Sequence, residues 1–253
     1  MARIVSIHSF RGGTGKSNTT ANIATLLAAK GLKVCVVDTD LNSPGIHVPF
    51  GLDLDGPDLR HTLNDYLWGK CDILDTVHDV TGNLGVPLAG TIYLVPASIK
   101  PEEITRLLRD GYDVNLLSDG FDELLEEFEL DVLLVDTHPG LSNETILSMA
   151  TTDVLVIILR PDHQDYQGTA VAVEVARRLD VQEMMLLINK MPKVYDFDQV
   201  RTMVEDLYST EVAAIVPHSD EMMMLQSQGV FALQYPDHEV TAAWQQVADR
   251  LAG

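Results

Sequence analysis

Strand-like and helix-like segments alternate along almost the whole chain, which predicts an α/β fold: a mostly parallel, twisted sheet with helices on both faces. Three observations carry that expectation. Val34-Cys35-Val36-Val37, Val132-Leu133-Leu134-Val135 and Val154-Leu155-Val156-Ile157-Ile158-Leu159 are apolar on both faces, as strands buried between two helix layers must be. The segments between such runs repeat apolar residues at helical spacing. The first apolar run, Ile4-Val5-Ser6-Ile7, leads into Ser9-Phe10-Arg11-Gly12-Gly13-Thr14-Gly15-Lys16-Ser17 and then an alanine-rich helical pattern. Strand, glycine turn and helix N-terminus together aim backbone N–H groups and a helix dipole at an anion.

Residues 18–30 read as the helix behind that turn, with Ile23, Leu26, Leu27 and Lys30 at helical spacing and Gly31 as a stop. Residues 33–37 are the next buried strand, which ends in Asp38-Thr39-Asp40. Ligands of open α/β sheets gather at the carboxyl ends of strands, so both aspartates are expected beside the glycine turn. Residues 41–59 are rich in Gly, Pro and Asp and read as a surface loop. A short helix is expected over 59–68, 72–90 fits no single pattern, and 91–96 is a strand. Helices follow from Pro101 and through Gly120 to Phe128, in an acidic span relieved only by Arg106 and Arg109. Its simplest reading is a solvated face, the alternative a docking surface for a basic partner. Residues 131–136 form a buried strand that again ends in Asp, followed by the turn Thr137-His138-Pro139-Gly140 and a helix over 143–150. After the strand at 154–159 come a helix over 165–179 and a strand over 184–188 ending in Asn189-Lys190. A helix over 198–208 and a short strand over 212–216, closed by Pro217, precede the last helices at 221–226 and 241–251. No repeat or internal boundary interrupts the pattern, so residues 1–253 are expected to be one domain.

The bulk numbers suit a soluble globular protein: 253 residues, 46% hydrophobic and 22% charged. Net charge is the outlier, with 17 Lys+Arg against 38 Asp+Glu giving −21. That balance disfavours broad contact with nucleic acid or anionic lipid. Cys35 and Cys71 form neither a disulfide framework nor a CxxC pair. Met1-Ala2-Arg3-Ile4 enters the first strand without a leader-like run, so a cytoplasmic protein is expected.

The strict phosphate-loop spacing asks for Gly where Phe10 stands. What stands instead, a basic residue before Gly12-Gly13-Thr14-Gly15-Lys16-Ser17, resembles the deviant Walker A loop of the MinD/ParA family of ATPases, with Arg11 in place of that family's usual Lys. Asp38-Thr39-Asp40 resembles its switch I element, and Leu134-Val135-Asp136-Thr137-His138-Pro139-Gly140 its Walker B and switch II segment. Ile188-Asn189-Lys190 and Ile215-Val216-Pro217 are similar to the elements flanking the adenine, and residues 230–236 to the closing segment. The resemblance implies ATP and Mg²⁺ as cofactors. Arg11, Gly12, Gly13, Thr14, Gly15, Lys16, Ser17 and Asn18 would hold the phosphates, Asn189 and Pro217 would flank the base, and Ser17, Asp38 and Asp136 would hold the metal. Asp38 is expected near Lys16 and the metal's water shell. Lys16, Asp40 and Arg11 would be catalytic, with Asp40 on the attacking water. Phosphoryl transfer is mostly positioning and charge neutralisation, which these residue types supply. A strand-end Asp can instead be a plain turn former, a reading that weighs most for Asp38.

Arg11 is implied to cross the interface of an ATP-sandwich homodimer as a trans arginine finger; the alternative is an exposed loop residue. Asn189-Lys190-Met191-Pro192 lacks the carboxylate that reads guanine, which favours ATP. His138 is a switch sensor or a turn residue, and Met222-Met223-Met224 is expected to be core packing rather than a pliable contact surface. The expected function is a slow, partner-stimulated ATPase switch that positions or regulates a cargo or partner protein. Trp244, Val247, Ala248 and Leu251 fit a packed last helix, not a membrane anchor. DNA contact would rest on Arg177, Arg178, Lys190 and Lys193, and the acidic charge disfavours it. Competing classes are a P-loop enzyme passing phosphate to a small-molecule or protein acceptor, and a nucleotide-binding module without turnover.

Overall fold

The computed structural model describes residues 2–57 and 59–253; Met1 and Asp58 lie outside the described residues, as does the side chain of Leu108. Eight strands carry the chain: β1 (Arg3–His8), β2 (Lys33–Asp38), β3 (His78–Asp79), β4 (Thr91–Val95), β5 (Val132–Asp136), β6 (Val154–Leu159), β7 (Glu183–Met191) and β8 (Val212–Pro217). They form one sheet in the order β3-β4-β2-β5-β1-β6-β7-β8, every pairing parallel except β3 with β4. The expected fold class is thus observed.

Helix α1 (Lys16–Ala29) follows β1 directly, and α2 (Leu63–Leu67), α3 (Pro101–Asp110), α4 (Asn115–Glu127) and α5 (Asn143–Ala150) cover the first half of the chain. The second half adds α6 (His163–Arg178), α7 (Phe197–Tyr208), α8 (Asp220–Leu225), α9 (Phe231–Gln234) and α10 (Glu239–Leu251). On one face of the sheet, Ile23 and Leu27 of α1 pack with Phe231, Trp244, Val247 and Leu251 against Val5, Val34 and Leu134. On the other, Leu117, Phe121 and Leu124 of α4 cover one half, while Ala172, Val173 and Val204 of α6 and α7 cover the other.

Several local readings shift. Helix α1 begins at Lys16 because Gly15, at φ 96, turns the chain straight into its first turn. Helix α4 begins at Asn115, and Gly120 lies inside it where the Tyr66 ring and Ile73 come within 3.2–3.3 Å of any added Cβ. The ambiguous 72–90 stretch holds two single helical turns, Ile73–Thr76 and Thr81–Leu84, around the two-residue edge strand β3. The methionine run is corrected: Met223 and Met224 are 66% and 69% exposed. Only Met222 and Leu225, three positions apart on the inner side of α8, reach the core.

Candidate functional site

Sheet order fixes the site. β1 lies between β5 and β6, and the register sets Ile7 and Asp38 each beside Asp136. Two carboxylates from strands almost a hundred residues apart thus end at one sheet edge, next to the glycine turn. Asp38 and Asp136 are fully buried. Asp136 Oδ1 accepts from Thr20 Oγ1 at 3.1 Å, and Asp38 Oδ1 from the Asp40 backbone N–H at 3.1 Å. The second oxygen of each has no protein partner among the described residues. Burial, then the charges of Asp136 and Asp40, push the Asp38 carboxyl well above its ordinary range. Asp40 is also raised by burial, although Lys16 and His138 oppose the shift.

Lys16, nearly buried, places Nζ 3.9 Å from Asp40 Oδ2, whereas among the described residues no ion pair joins it to Asp38. Lys16 is near enough to Asp38 for its charge to draw that carboxyl's pKa down, while its direct ion pair is with Asp40. His138 Nε2 lies 3.9 Å from the other Asp40 oxygen, so the turn after β5 meets the end of β2 there.

Three carboxylates against one lysine, with two carboxylate oxygens unpartnered, suit a divalent cation. Among the described residues no group of three or more acidic, His or Cys side chains has direct chelating geometry. That fits Mg²⁺, which keeps several waters and takes few protein ligands. Ser17, half-buried in the first turn of α1, could supply one, and Asp38 and Asp136 could order its waters.

The remaining candidates divide. Gly12 and Gly13 are exposed and Thr14 is buried. Asn189 donates through Nδ2 to Thr14 O at 2.7 Å, and Lys190 Nζ to Gly13 O at 2.9 Å, so both brace the loop from β7. Asn18, expected among the residues that hold the phosphates, donates to Ser227 Oγ at 3.0 Å. A cavity of about 460 Å³ opens beside Gly15, Asn18 and Asn189, walled by Val216, Met222 and Trp244. Pro217 ends β8 between two of its lining residues, Val216 and His218. Arg11 is neither free nor aimed outward alone: its Nη1 lies 3.5 Å from Asp162 and 3.3 Å from Asp165.

Sequence reasoning missed Thr20, one helical turn past Lys16, and His8. The His8 ring is buried at the end of β1, with Nδ1 3.0 Å from Thr137 Oγ1. Burial, followed by the charges of Lys16 and His138, pushes its pKa down to about 3. Below pH 6.5 the unfolded imidazole takes a proton that the folded one refuses, so this contribution to stability is lost as pH falls towards 3. Urea unfolding is expected to show about 2 kcal/mol more loss between pH 7 and pH 5 in the wild type than in His8→Asn. Equal slopes would refute a neutral, buried His8.

The four cations considered for DNA are occupied. Arg177 donates to Ser209 O at 3.2 Å and Thr210 Oγ1 at 3.3 Å, and Arg178 to Glu174 at 3.0 Å. Lys193 pairs with Glu239, and Lys190 is held by Gly13. In the last helix, Trp244, Val247, Ala248 and Leu251 are all buried. Among the described residues no helix is long and apolar enough to cross a membrane.

The AAA_31 family model, described as an AAA domain, matches residues 2–188. An uncharacterized ATP-binding protein of Methanocaldococcus jannaschii is 26% identical over 254 residues, covering 100% of this chain and 89% of that protein. Among solved structures, the septum site-determining protein MinD of Pyrococcus horikoshii, complexed with Mg-ADP, superposes with TM-score 0.82 at 22% identity, covering 99% of this chain and 96% of that one. A ParA family ATPase from Chlorobium tepidum gives 0.76 at 18%, covering 98% and 99%. At those identities the two superpositions speak for the fold alone.

Proposed function

Because the chain belongs to the AAA_31 family of AAA domains and, with it, to the MinD/ParA ATPases, we propose that residues 1–253 form one ATPase domain working as a nucleotide-timed switch. In this reading it hydrolyses ATP slowly, pairs with a second copy over bound nucleotide, and positions or regulates a partner protein in the cytoplasm. The observation that carries it is the convergence of Lys16, Asp40, Asp38 and Asp136 at the glycine loop.

Mg²⁺ would neutralise charge on the β- and γ-phosphates when bound. Gly12, Gly13, Thr14 and Gly15 present backbone N–H groups to the phosphates, and Lys16 adds its charge. Ser17, Asp38 and Asp136 would be the residues that hold the ion. Asp40 orients the attacking water and accepts its proton, with Lys16 and His138 setting the position of the carboxylate. Asn189 shapes the base pocket while bracing Thr14, and Pro217 fixes the backbone at its edge. Asn18 reaches the α-phosphate only on leaving Ser227.

The test is ATP turnover with product analysis. Free phosphate and ADP support the switch, whereas a phosphorylated acceptor would establish a transferase and no turnover a binding module. The positioning surface is tested with Asp40→Ala protein and random duplex DNA in ATP and in ADP. No binding at moderate salt is expected in either state, because Arg178 and Lys193 are paired with Glu174 and Glu239 and the chain carries a net charge of −21. Binding in ATP alone, weakened by salt, would make DNA the surface instead of a protein.

A further inference from the structure

The surroundings of Arg11 go beyond its expected role. Two acidic residues from the start of α6 hold it: Asp162, 41% exposed at the side chain, and Asp165, 2% exposed. A second arginine shares the same pair. Arg160 donates to Asp165 Oδ2 through its backbone N–H at 3.0 Å and Nε at 2.9 Å, and to Oδ1 through Nη2 at 3.2 Å. Arg160 Nη2 also lies 3.1 Å from Asp162 Oδ2. Burial would raise the Asp165 pKa, but the Arg160 side-chain and backbone donors outweigh it and hold this carboxyl below its ordinary range.

The two arginines are therefore not equivalent. Arg160 makes the short, multiple contacts, while Arg11 makes the long ones at 3.3 and 3.5 Å and stays 40% exposed. When Arg11 swings away, Asp165 keeps three donors from Arg160, and Asp162 keeps the N–H groups of Gln164 and Asp165 that it caps, at 3.1 and 3.0 Å. No buried carboxylate is stranded, so departure escapes the large penalty of breaking a buried ion pair. A permanent structural bridge would have Arg11 on the short contacts.

We propose that Asp162, Asp165 and Arg160 form a cis holster for Arg11, which must empty before Arg11 can reach the nucleotide of a second copy. This rests on the dimerising-switch reading above. Asp162 is then a positioning residue that acts through Arg11, and it sets the ATP-dependent dimerisation threshold rather than the chemistry. The Arg11–Asp162 pair, 40% and 41% exposed, favours the held state by a few-fold. Each dimer empties two holsters, so weakening by about three-fold per protomer tightens the dimer about ten-fold.

Sedimentation equilibrium in Mg-ATP, in an Asp40→Ala background that preserves the nucleotide, reads this directly. Asp162→Asn keeps an N-cap, since the amide oxygen accepts the same N–H bonds, and Asp162→Ser is a second capping variant. Both are expected to tighten dimerisation about ten-fold, and the gain should vanish when Arg11→Ala is added. An unchanged or weaker dimer, or a gain that survives without Arg11, would overturn the holster alone. If the parent protein stays monomeric in Mg-ATP at every concentration, the dimer reading falls and takes the holster with it.

Discussion

Asp40→Ala is expected to slow ATP hydrolysis by about 10²–10⁴-fold, the range for removing a positioned general base, while ATP affinity changes by no more than a few-fold. The separation follows from where the charge sits. Asp40, itself buried, lies between Lys16 at 3.9 Å and His138 at 3.9 Å. It makes none of the backbone contacts that would cradle phosphate. Removing it also lifts one of two charges that burden Asp38. Lys16 loses its ion-pair partner, but the γ-phosphate offers a stronger one. Single-turnover phosphate release alongside equilibrium binding of a fluorescent ATP analogue reads both quantities. Turnover within about three-fold of wild type would remove Asp40 from the chemistry, and equal losses of turnover and binding would make it a structural residue of the loop.

Gly15→Ala is expected to cost roughly 2–4 kcal/mol of stability and to weaken nucleotide binding by at least about 100-fold. Two penalties coincide. Gly15 sits at φ +96, where an L side chain is strained by about 1–2 kcal/mol. Its Cβ would also lie 2.5 Å from Asn189 Nδ2, the atom that donates to Thr14 O. Asn189 must then move, breaking a buried hydrogen bond and releasing the brace behind the loop. Gly12→Ala is the matched control, because its Cβ would meet nothing closer than Pro139 Cγ at 3.9 Å. Thermal unfolding should fall by several degrees for Gly15→Ala and stay close to wild type for Gly12→Ala. Adding Asn189→Ala should recover only the steric part of the loss. Equal melting of the two glycine variants would show that the loop tolerates a side chain at either position.

The sheet was legible because parallel strands buried on both faces must be unbroken apolar runs, as at 132–135 and 154–159. The β3 edge was not, since a two-residue antiparallel pairing leaves no periodicity to read. Residue identities at the site were visible in the glycine loop and the strand-end aspartates, but their partners were not. Whether Lys16 meets Asp38 or Asp40 depends on side-chain reach, not spacing. Arg11 and Asp165 stand 154 positions apart, and only the adjacency of β1 and β6 brings them together. The Met223 and Met224 error has another source: three consecutive methionines cannot all face inward from a helix.

The pairing of β2 with β5 also governs when the protein becomes competent. Lys16 and its glycines are synthesised early and could curl into a loop on their own, but Asp136 joins Asp38 only after the intervening chain has collapsed and β5 has threaded between β1 and β2. Such distant closure is slow and comes late in folding. A nascent chain ending before β5 would thus carry the glycine loop without the Asp38–Asp136 pair. Mg-nucleotide binding would serve as a readout of completed folding and, by mass action, stabilise the finished fold.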